Sequence, residues 1–416
     1  MHRFLVVAVL GAALSLPTTA HAATDQVFGG WFGNWHPPEI VEEKMQAGSG
    51  ALTDSAVFSW SFAGTENPVC AMTQKSVCLD PGKIETADLR RALASMAGTT
   101  VWASHIDLNY RRARELAAVL KNRRQRNELI NVLVDRTVRV GADGLDLDWE
   151  NFAFNDGSST WASTRKPLNK TVRRLAKKLH EQDKLLSVTV PVGSSPLTSS
   201  GSPKLGGGYS VFDWKQLAAK ADRLNLMAYD YSFSSPGPIG PHYWAKRAVT
   251  AAKRAVGSEN AKKVIIGVPL YGKSWPTPGR GGQAVVGKCP SGWRPNSIKP
   301  TFSVTALQAP ELAKEKGAKI SYSAKSGEST FRYTEKVPGS YSKRVGAAGQ
   351  QRTVRKAKQC AVSRTVWFGN RRTVMKRAKL ARRAGIGGVF AWNLAATDDA
   401  LFDRYRNKWG SAASPQ

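Results

Sequence analysis

The sequence predicts an α/β fold: a closed (β/α)8 barrel, the TIM-barrel architecture, with a small α+β insertion after the seventh strand. Short apolar, β-branched runs recur eight times along the chain, and amphipathic helical stretches separate most of them. This alternation is typical of parallel sheets whose connections are helices. The strand candidates are QVFGGWF, AVFSWSFA, TTVWASHID, GADGLDLDW, LLSVTVPV, ADRLNLMAYD, KVIIGVPLYG and GGVFAWNL.

The helices and the insertion follow from the spacing between these runs. Apolar residues recur at helical spacing over residues 112–141 and 243–257, for example, which predicts amphipathic helices. The alternation breaks once, from 274 to 363, where the chain is rich in Gly, Pro and Lys and holds short β-like pieces. We interpret 274–363 as the insertion, and 23–273 with 364–416 as the barrel.

The N-terminal residues have the layout of a secretory signal peptide. His2 and Arg3 precede an apolar run from Phe4 to Leu16, and the small-residue stretch Ala20-His21-Ala22 follows. That run is too short to span a bilayer as a helix. A membrane anchor or a core helix is the alternative. We expect residues 1–22 to be removed and the mature chain to be secreted, extracellular and without a membrane span.

Export would allow the cysteines to form disulfides. The four cysteines, Cys70, Cys78, Cys289 and Cys360, admit three pairings, and none has the C-x-x-C spacing of a zinc site. We favour Cys70–Cys78 with Cys289–Cys360, because each bridge closes a local excursion; four free thiols are the alternative. The six histidines show no metal-ligand grouping in the sequence. We therefore expect neither a metal nor a cofactor.

The chain is strongly basic, with a formal net charge of +30 and a pI near 10.2. Many basic residues lie in helical runs such as 171–182 and 371–385, where they alternate with Leu, Val and Ala. This pattern indicates solvated outer helix faces. Attraction to an anionic cell surface is the alternative. No aromatic-plus-basic nucleic-acid module is visible, so we expect no nucleic-acid partner, and we expect a monomer.

The fourth candidate strand carries the densest acidic cluster, DGLDLDWE at Asp143–Glu150. Strand alternation places its leucines and tryptophan on one face and Asp146, Asp148 and Glu150 on the other. If the leucines face the helices, the carboxyls point into the barrel, with Glu150 at its C-terminal mouth. Like charges withdrawn from water force at least one member to keep its proton at neutral pH. The cluster predicts general acid catalysis.

A helix cap or a calcium loop is the structural alternative for this acidic cluster. However, D-x-D-x-D here lacks the downstream Gly and the bidentate Glu of an EF-hand, and it sits in an apolar strand.

The octapeptide DGLDLDWE resembles the fourth-strand signature of family 18 glycoside hydrolases, the family of the chitinases. GGWFGNW, LMAYDY, IIGVPLYGKSW and GGVFAWN are similar to the family's first, sixth, seventh and eighth strands, so the resemblance spans nearly the whole mature chain. The insertion resembles that of the deep-cleft, chitinase A-like branch. The resemblance implies a secreted hydrolase of β-1,4-linked N-acetylglucosamine polymers, foremost chitin.

The resemblance also implies catalytic roles. Glu150 would protonate the glycosidic oxygen and then act as base toward water. An ordinary retaining glycosidase places a second carboxylate ~5–5.5 Å away, across the sugar, whereas family 18 uses the substrate's N-acetyl oxygen as the nucleophile. Asp148 would hold the acetamido N–H, Asp146 would share a proton with Asp148, and Tyr229 would donate its hydroxyl to the acetamido oxygen.

The substrate site implied by the resemblance takes in five further residues. Asp230 would contact the distorted −1 sugar and Trp392 would form the floor beneath it, while Met227, Trp31 and Tyr271 are expected at the same site. Other tryptophans stand at or beyond predicted strand ends, where each could line a subsite or pack in the core. They are Trp35, Trp102, Trp161, Trp244 and Trp275.

Two positions depart from the family pattern. The third strand usually carries S-x-G-G, but here only Ser104 is kept, and Ile106 and Asp107 occupy the glycine positions. We expect their larger side chains to narrow or reshape the cleft floor. In the first strand, Trp31 stands where a tyrosine is common, which removes a hydroxyl that supports the inner aspartates.

Two further functions compete with chitin hydrolysis. The same chemistry could act on another N-acetylglucosamine glycan, either peptidoglycan or an N-glycan core, and the charge of +30 supports this because cell walls are often anionic. A non-catalytic glycan-binding protein could use the same fold. Such relatives typically lose the acid, whereas Glu150, Asp148 and Tyr229 are all present here.

Overall fold

Eight parallel strands form a closed barrel in the computed structural model, which describes residues 26–33, 35–64, 78–80, 86–107, 114–277, 285–286, 289–296, 301–348 and 350–410. The barrel strands are β1 (Val27–Phe32), β2 (Asp54–Gly64), β4 (Thr100–Ile106), β5 (Gly144–Asp148), β6 (Leu185–Pro191), β7 (Arg223–Met227), β8 (Val264–Pro269) and β16 (Gly388–Trp392). Their order is β1-β16-β8-β7-β6-β5-β4-β2, and β1 also pairs with β2, which closes the ring. A short strand, β3 (Cys78–Asp80), adds antiparallel to β2. Each of the eight candidate strands overlaps one barrel strand, so the predicted fold class is confirmed.

Helices connect the strands and cover the outside of the barrel. They are α1 (Pro38–Gly48), α2 (Thr86–Ser95), α3 (Glu115–Lys121), α4 (Arg123–Val140), α5 (Asn151–Phe154), α6 (Trp161–His180), α7 (Trp214–Ala218), α8 (His242–Val256), α10 (Arg371–Ala384) and α11 (Ala400–Trp409), with α9 (Gln308–Glu315) in the insertion. Short 3-10 segments lie at Ser158–Thr160, Leu205–Gly208, Ser258–Lys263 and Leu394–Ala396. No helix in the described part of the chain is long and apolar enough to cross a membrane.

The helix predicted over 112–141 is interrupted. It forms two helices, α3 and α4, because the Asn122 side chain accepts hydrogen bonds from the backbone N–H groups of Arg124 and Gln125. Asparagine satisfies the free N–H groups of a helix start well, so it begins a new helix here. The helix predicted over 243–257 is observed as α8.

The core has two layers around the strands. Outward-facing residues such as Leu145, Leu147 and Leu226 pack with the apolar faces of the helices in the main hydrophobic cluster. Inside the barrel, Trp31, Trp102 and other large side chains form a separate apolar cluster. This arrangement fills the barrel interior with side chains and leaves the C-terminal ends of the strands to carry the site.

The insertion forms a second, antiparallel sheet between β8 and α10. Its strands are β9 (Tyr271–Pro276), β10 (Val285–Val286), β11 (Arg294–Pro295), β12 (Phe302–Thr305), β13 (Ser321–Ser323), β14 (Glu328–Val345) and β15 (Arg352–Phe368). The β14–β15 hairpin is much longer than the short β-like runs of the sequence suggest, with strands of 18 and 17 residues. Because β9 pairs with β15, the chain enters and leaves the insertion side by side, and the sheet begins at Tyr271 and ends at Phe368.

One of the two predicted disulfides lies in this insertion. Cys289 is bonded to Cys360 on β15, with 5.9 Å between the Cα atoms, and this prediction is confirmed. The bridge packs beside Trp293 and Val337 in a small apolar cluster. Cys70 lies outside the described residues, as do residues 1–22, so the Cys70–Cys78 bridge and the signal peptide stay predictions.

Candidate active site

Strand β5 places two of its carboxyl groups inside the barrel. Leu145 and Leu147 point outward into the helix-covered core, as predicted, and Asp146 and Asp148 point the other way. Trp149 follows the leucines outward, and its indole N–H donates to Nδ1 of His105 at 2.7 Å. The alternation of the strand therefore separates its apolar anchor from its acidic face.

Of the three carboxyls of the acidic cluster, Asp146 lies deepest, and residues of three other barrel strands hold it by hydrogen bonds. Its Oδ2 accepts hydrogen bonds from the Trp31 indole N–H and the Ser104 hydroxyl, both at 3.0 Å, and its Oδ1 accepts one from the Thr189 hydroxyl at 2.9 Å. The sequence comparison with the family suggested that Trp31 deprives the inner aspartates of a supporting hydroxyl. In the structure, the indole N–H of Trp31 donates in place of that hydroxyl.

Asp148 lies one step nearer the barrel mouth and is buried. Among the described residues, its Oδ1 has no hydrogen-bond partner. Burial raises the pKa of Asp148 well above its usual range, and the charges of Glu150, Asp146 and Asp107 raise it further. A buried polar atom without a partner is costly, so this oxygen is an open acceptor for a donor on a ligand.

Glu150 follows β5 at the C-terminal mouth of the barrel, where it is only partly buried. Burial raises the pKa of Glu150 to about 7, and the charge of Asp230 contributes to the increase. A carboxyl with this pKa retains much of its proton at neutral pH and can also give it up, which is what general acid–base catalysis requires.

Tyr229 and Asp230 face these carboxyls from the end of β7. Burial raises the pKa of Tyr229 well above its usual value, and the charges of Asp148, Glu150, Asp230 and Asp146 raise it further. The structure thus brings Tyr229 close to all four acids and keeps its hydroxyl protonated as a donor. Gly267 on β8 makes room for the ring, since a Cβ there would lie 2.8 Å from its Cε1 atom.

Asp230 has a left-handed backbone conformation (φ 58°) and its side chain is 44% exposed. Lys273 on β9 donates to Oδ1 of Asp230 at 2.8 Å. Burial raises the pKa of Tyr271 well above its usual value, and the nearby charge of Asp230 raises it further. The Lys273 ammonium lies 3.8 Å from the ring centre of Phe233, which is 70% exposed. The first strand of the insertion therefore supplies one wall of the site.

Trp392, at the end of β16, is stacked in an aromatic cluster. Its ring centre lies 4.9 Å from that of Phe58 and 5.8 Å from that of Trp35, which is 53% exposed. Trp31 lies beneath it, with 6.4 Å between the ring centres, and is 1% exposed; its ring also packs edge-on against Phe390 at 4.4 Å. Met227 is buried as the last residue of β7. The sequence left open whether each of the other tryptophans lines a subsite or packs in the core. Trp102, Trp244 and Trp275 are buried, and Trp161 is partly buried.

Sequence reasoning missed several residues of this site. Lys273 lies two positions after Tyr271, on the same face of an extended strand, and that spacing was the available signal. Phe58 and Phe233 carried no such signal. Burial raises the pKa of Tyr209, which follows the glycine-rich segment Leu205–Gly208, and the charge of Glu150 raises it further.

The loop after Asp230 is fixed to the insertion by a buried carboxyl. Glu328 on β14 accepts hydrogen bonds from the backbone N–H groups of Ile239 and Gly240 at 2.7 and 2.6 Å. Arg377 donates to the carbonyl oxygen of Gly240. Because Tyr231 N–H bonds to the Ile239 carbonyl at 2.7 Å, the loop closes on itself above this anchor.

Metal ligands are not part of this arrangement. Within the described ranges, no three His, Cys, Asp or Glu side chains are grouped so that they could hold a metal ion.

A pH profile should report the state of Glu150. Because the acid must be protonated, kcat/KM is expected to be lost as pH rises through its pKa of about 7, at about tenfold per pH unit. An unperturbed glutamic acid would already fail near pH 4–5. The measurement is the initial rate of the catalysed reaction from pH 4 to 10. A rate that falls already above pH 5, or one that stays level to pH 9, would contradict the assignment.

A family model described as "Glycosyl hydrolases family 18" matches residues 109–397. Among curated proteins, the chain is similar to the cortical fragment-lytic enzyme of Bacillus subtilis, with 22% identity over 286 residues, which cover 67% of this chain and 53% of that protein. The chain spans about half the length of the first curated relatives that it matches (52%, 44% and 52%).

Two solved structures share the fold over nearly the whole chain. A chitinase from Chromobacterium violaceum has a TM-score of 0.65 and 19% identity, and the match covers 92% of this chain and 98% of that one. The spore cortex-lytic enzyme SleL of Bacillus cereus has a TM-score of 0.66 and 17% identity, over 94% of this chain and 75% of that one. At such identities the likeness concerns the fold, and the chemistry must be argued from the site.

Proposed function

Because the chain belongs to glycosyl hydrolase family 18, we propose that it hydrolyses the β-1,4 linkages of N-acetylglucosamine polymers, with chitin as the substrate and Glu150 as the acid and base. Family membership confirms the resemblance drawn from the sequence and makes the chain a glycosidase of N-acetylglucosamine-containing glycans. The non-catalytic alternative is disfavoured because the candidate acid, its neighbour Asp148 and Tyr229 all face one site.

One observation carries the mechanism: Asp148, directly beside the candidate acid, has an oxygen that lacks a partner in the described structure. An acetamido N–H would satisfy that oxygen and favour the ionised form of Asp148. The same contact would turn the acetamido oxygen toward C1 of the −1 sugar. Tyr229, held protonated, would donate to that oxygen and limit its rotation.

The alternative nucleophile is Asp230, which comes from another strand. Its Oδ1 already accepts a hydrogen bond from the Lys273 ammonium at 2.8 Å, and the two groups form an ion pair. A carboxylate that is paired with an ammonium group is a weaker nucleophile, whereas the acetamido oxygen of the substrate would be held next to C1 by Asp148 and Tyr229. This contrast supports substrate assistance over a covalent glycosyl-enzyme.

The reaction then has two steps. Glu150 gives its proton to the glycosidic oxygen, the C1–O bond breaks, and the acetamido oxygen bonds to C1 to form an oxazolinium ion. Glu150, now a carboxylate, takes a proton from water while the water oxygen attacks C1. This attack breaks the bond between C1 and the acetamido oxygen and so opens the oxazolinium ring. Because C1 is inverted twice, its configuration is retained.

Peptidoglycan is the second candidate substrate. The matched relatives include cortical fragment-lytic enzymes, and the formal charge of +30 would favour an anionic wall. The test is incubation with chitin, with peptidoglycan and with a high-mannose glycopeptide, followed by mass spectrometry of the products. Chitooligosaccharides from chitin alone support the proposal, whereas release of fragments only from peptidoglycan or only from the glycopeptide reassigns the substrate.

We further propose that the protein acts outside the cell, because its N-terminal residues have the layout of a signal peptide.

We also propose that one face of the β14–β15 hairpin attracts the protein to anionic polymers. The tip of the β14–β15 hairpin carries a row of exposed cations, Lys343, Arg352, Lys356 and Lys358. In the observed register, Lys343 pairs with Val354 and Lys356 with Tyr341. Paired residues share a face of the ribbon, so the four cations occupy one face at steps of about 7 Å. No Asp or Glu occurs between residues 340 and 358.

A charge-matched pair of variants tests this surface. Replacing the four hairpin cations with Gln is expected to weaken low-salt binding to phosphate-bearing cell walls by about tenfold. The control replaces Lys166, Lys170, Arg173 and Lys177 on α6, which are also exposed, and removes the same four charges. Cosedimentation with intact and with phosphate-stripped walls is the measurement. Equal losses in the two variants would show that net charge, and not the hairpin, is responsible.

A further inference from the structure

Asp107, the residue that follows β4, is bound to the backbone of the candidate acid. Its Oδ1 accepts the Glu150 backbone N–H at 2.7 Å and the Asn151 N–H at 3.2 Å, and its Oδ2 also accepts from Asn151 at 3.2 Å. In return, the Asn151 side-chain amide donates to the carbonyl oxygen of Asp107. Four hydrogen bonds thus join the residue that follows β4 to the two residues that follow Trp149.

The placement of Asp107 differs from the sequence expectation. We expected larger residues at the third-strand glycine positions to narrow or reshape the cleft floor. Asp107, however, is 1% exposed and its carboxyl binds the backbone that follows the next strand, β5. Its side chain therefore contributes almost nothing to the cleft surface. Ile106 is partly buried against the aromatic cluster inside the barrel.

The backbone at Glu150 needs such a partner. Glu150 stands at the N-terminal cap of the one-turn helix α5, and no side chain within that helix caps it. The first N–H groups of a helix have no acceptor inside it. Asp107 satisfies two of them from outside, and so fixes the direction in which the Cα–Cβ bond of Glu150 leaves the chain.

We infer that Asp107 is a positioning residue, which sets the place of the Glu150 carboxyl relative to the scissile bond by holding its backbone. This inference rests on the proposed role of Glu150. A carboxyl that is displaced by about 1 Å loses rate steeply, because the proton must be delivered along a short hydrogen bond. Substrate binding depends on other residues and does not require this contact.

The groups around Asp107 are mostly acidic. Asp148 faces it from β5 and Glu150 from just after the end of β5. Asp156 faces it from the loop after α5 and accepts a hydrogen bond from the Arg114 backbone N–H. His105 on β4 stays neutral near pH 7, because burial lowers its pKa to about 3. Burial raises the pKa of Asp107 to about 8, so a protonated Asp107 still accepts through one oxygen at neutral pH. Asparagine offers the same oxygen, and alanine offers none.

The test compares Asp107→Asn, Asp107→Ala and Asp107→Ser at pH 6 on a chitooligosaccharide. The alanine variant is expected to lose about 10- to 100-fold in kcat with KM unchanged, while the asparagine variant keeps most of the rate. If alanine does not fold, serine replaces it, since its hydroxyl is polar but too short to reach both N–H groups. The asparagine variant should also keep the alkaline loss of activity near pH 7.

Asp54→Ala is the matched control. Asp54 is equally buried and accepts from the Trp102 indole at 3.0 Å, but it lies at the start of β2, at the opposite end of the barrel. Its loss should lower the melting temperature and leave kcat unchanged. Equal kcat in folded Asp107→Ala (or Asp107→Ser) and wild type, or equal losses with Asn and Ala, would overturn the inference. Full activity of Glu150→Gln would instead overturn the proposed function, so the two failures are distinguishable.

Discussion

Glu150→Gln is expected to lower kcat on chitotetraose by about 10²–10⁴-fold while binding of the oligosaccharide survives. Glutamine has the shape of the glutamic acid but cannot deliver a proton to the glycosidic oxygen. Because the other walls of the site come from β7, β9 and β16, the sugar contacts remain. Product release measured by chromatography and affinity measured by calorimetry separate the two effects.

Glu335→Gln provides the control for this substitution. Glu335 lies in the insertion, on β14, where it forms an ion pair with Arg364 at 3.2 Å. Its replacement makes the same chemical change outside the site and should leave kcat near the wild-type value. If the Glu150 variant turned over substrate at near wild-type rate, the acid would have been assigned to the wrong residue.

Removing the N-acetyl group from the substrate should have a comparably large effect. A fully deacetylated oligomer lacks the attacking oxygen, and kcat/KM is expected to fall by at least about 10³-fold, because a well-oriented internal nucleophile is lost. A partly acetylated oligomer gives a sharper result. Every new reducing end should carry an acetyl group, since only an acetylated sugar in the −1 position can react.

Re-acetylation of the same deacetylated oligomer is the control, and cleavage should return. Sequencing the products by mass spectrometry shows which sugars occupied the reacting position. Efficient cleavage that leaves glucosamine at the new reducing ends would contradict substrate assistance and would point to a nucleophile supplied by the protein.

The sequence was sufficient to predict the barrel and the inward-facing acidic cluster of β5, because both depend on the local periodicity of apolar and polar residues. Alternation along Gly144–Asp148 places Asp146 and Asp148 inside, and the structure agrees. The Cys289–Cys360 bridge was predicted because it closes a local excursion of the chain, and it is observed in the structure. Such features need only the chain's own spacing and the preference of apolar side chains for burial.

Contacts between distant segments could not be predicted in the same way. The Lys273–Asp230 pair joins residues 43 positions apart, and its geometry depends on how β9 leaves the barrel. From the sequence, Asp107 was expected to narrow the cleft floor, because it replaces a glycine of the family pattern. Only the register of β4 with β5 shows that its side chain reaches the Glu150 backbone. The break at Asn122 was missed because the apolar period continues across it and outweighed the capping signal.

The anomeric form of the first product tests the central claim most directly, namely that one protein carboxyl and the substrate's acetamido group together perform a retaining hydrolysis. Proton nuclear magnetic resonance, recorded in the first minutes of chitooligosaccharide cleavage and before mutarotation, distinguishes the two anomers. The mechanism proposed for Glu150 predicts the β-anomer as the initial product. An initial α-anomer would show direct attack by water and would contradict it.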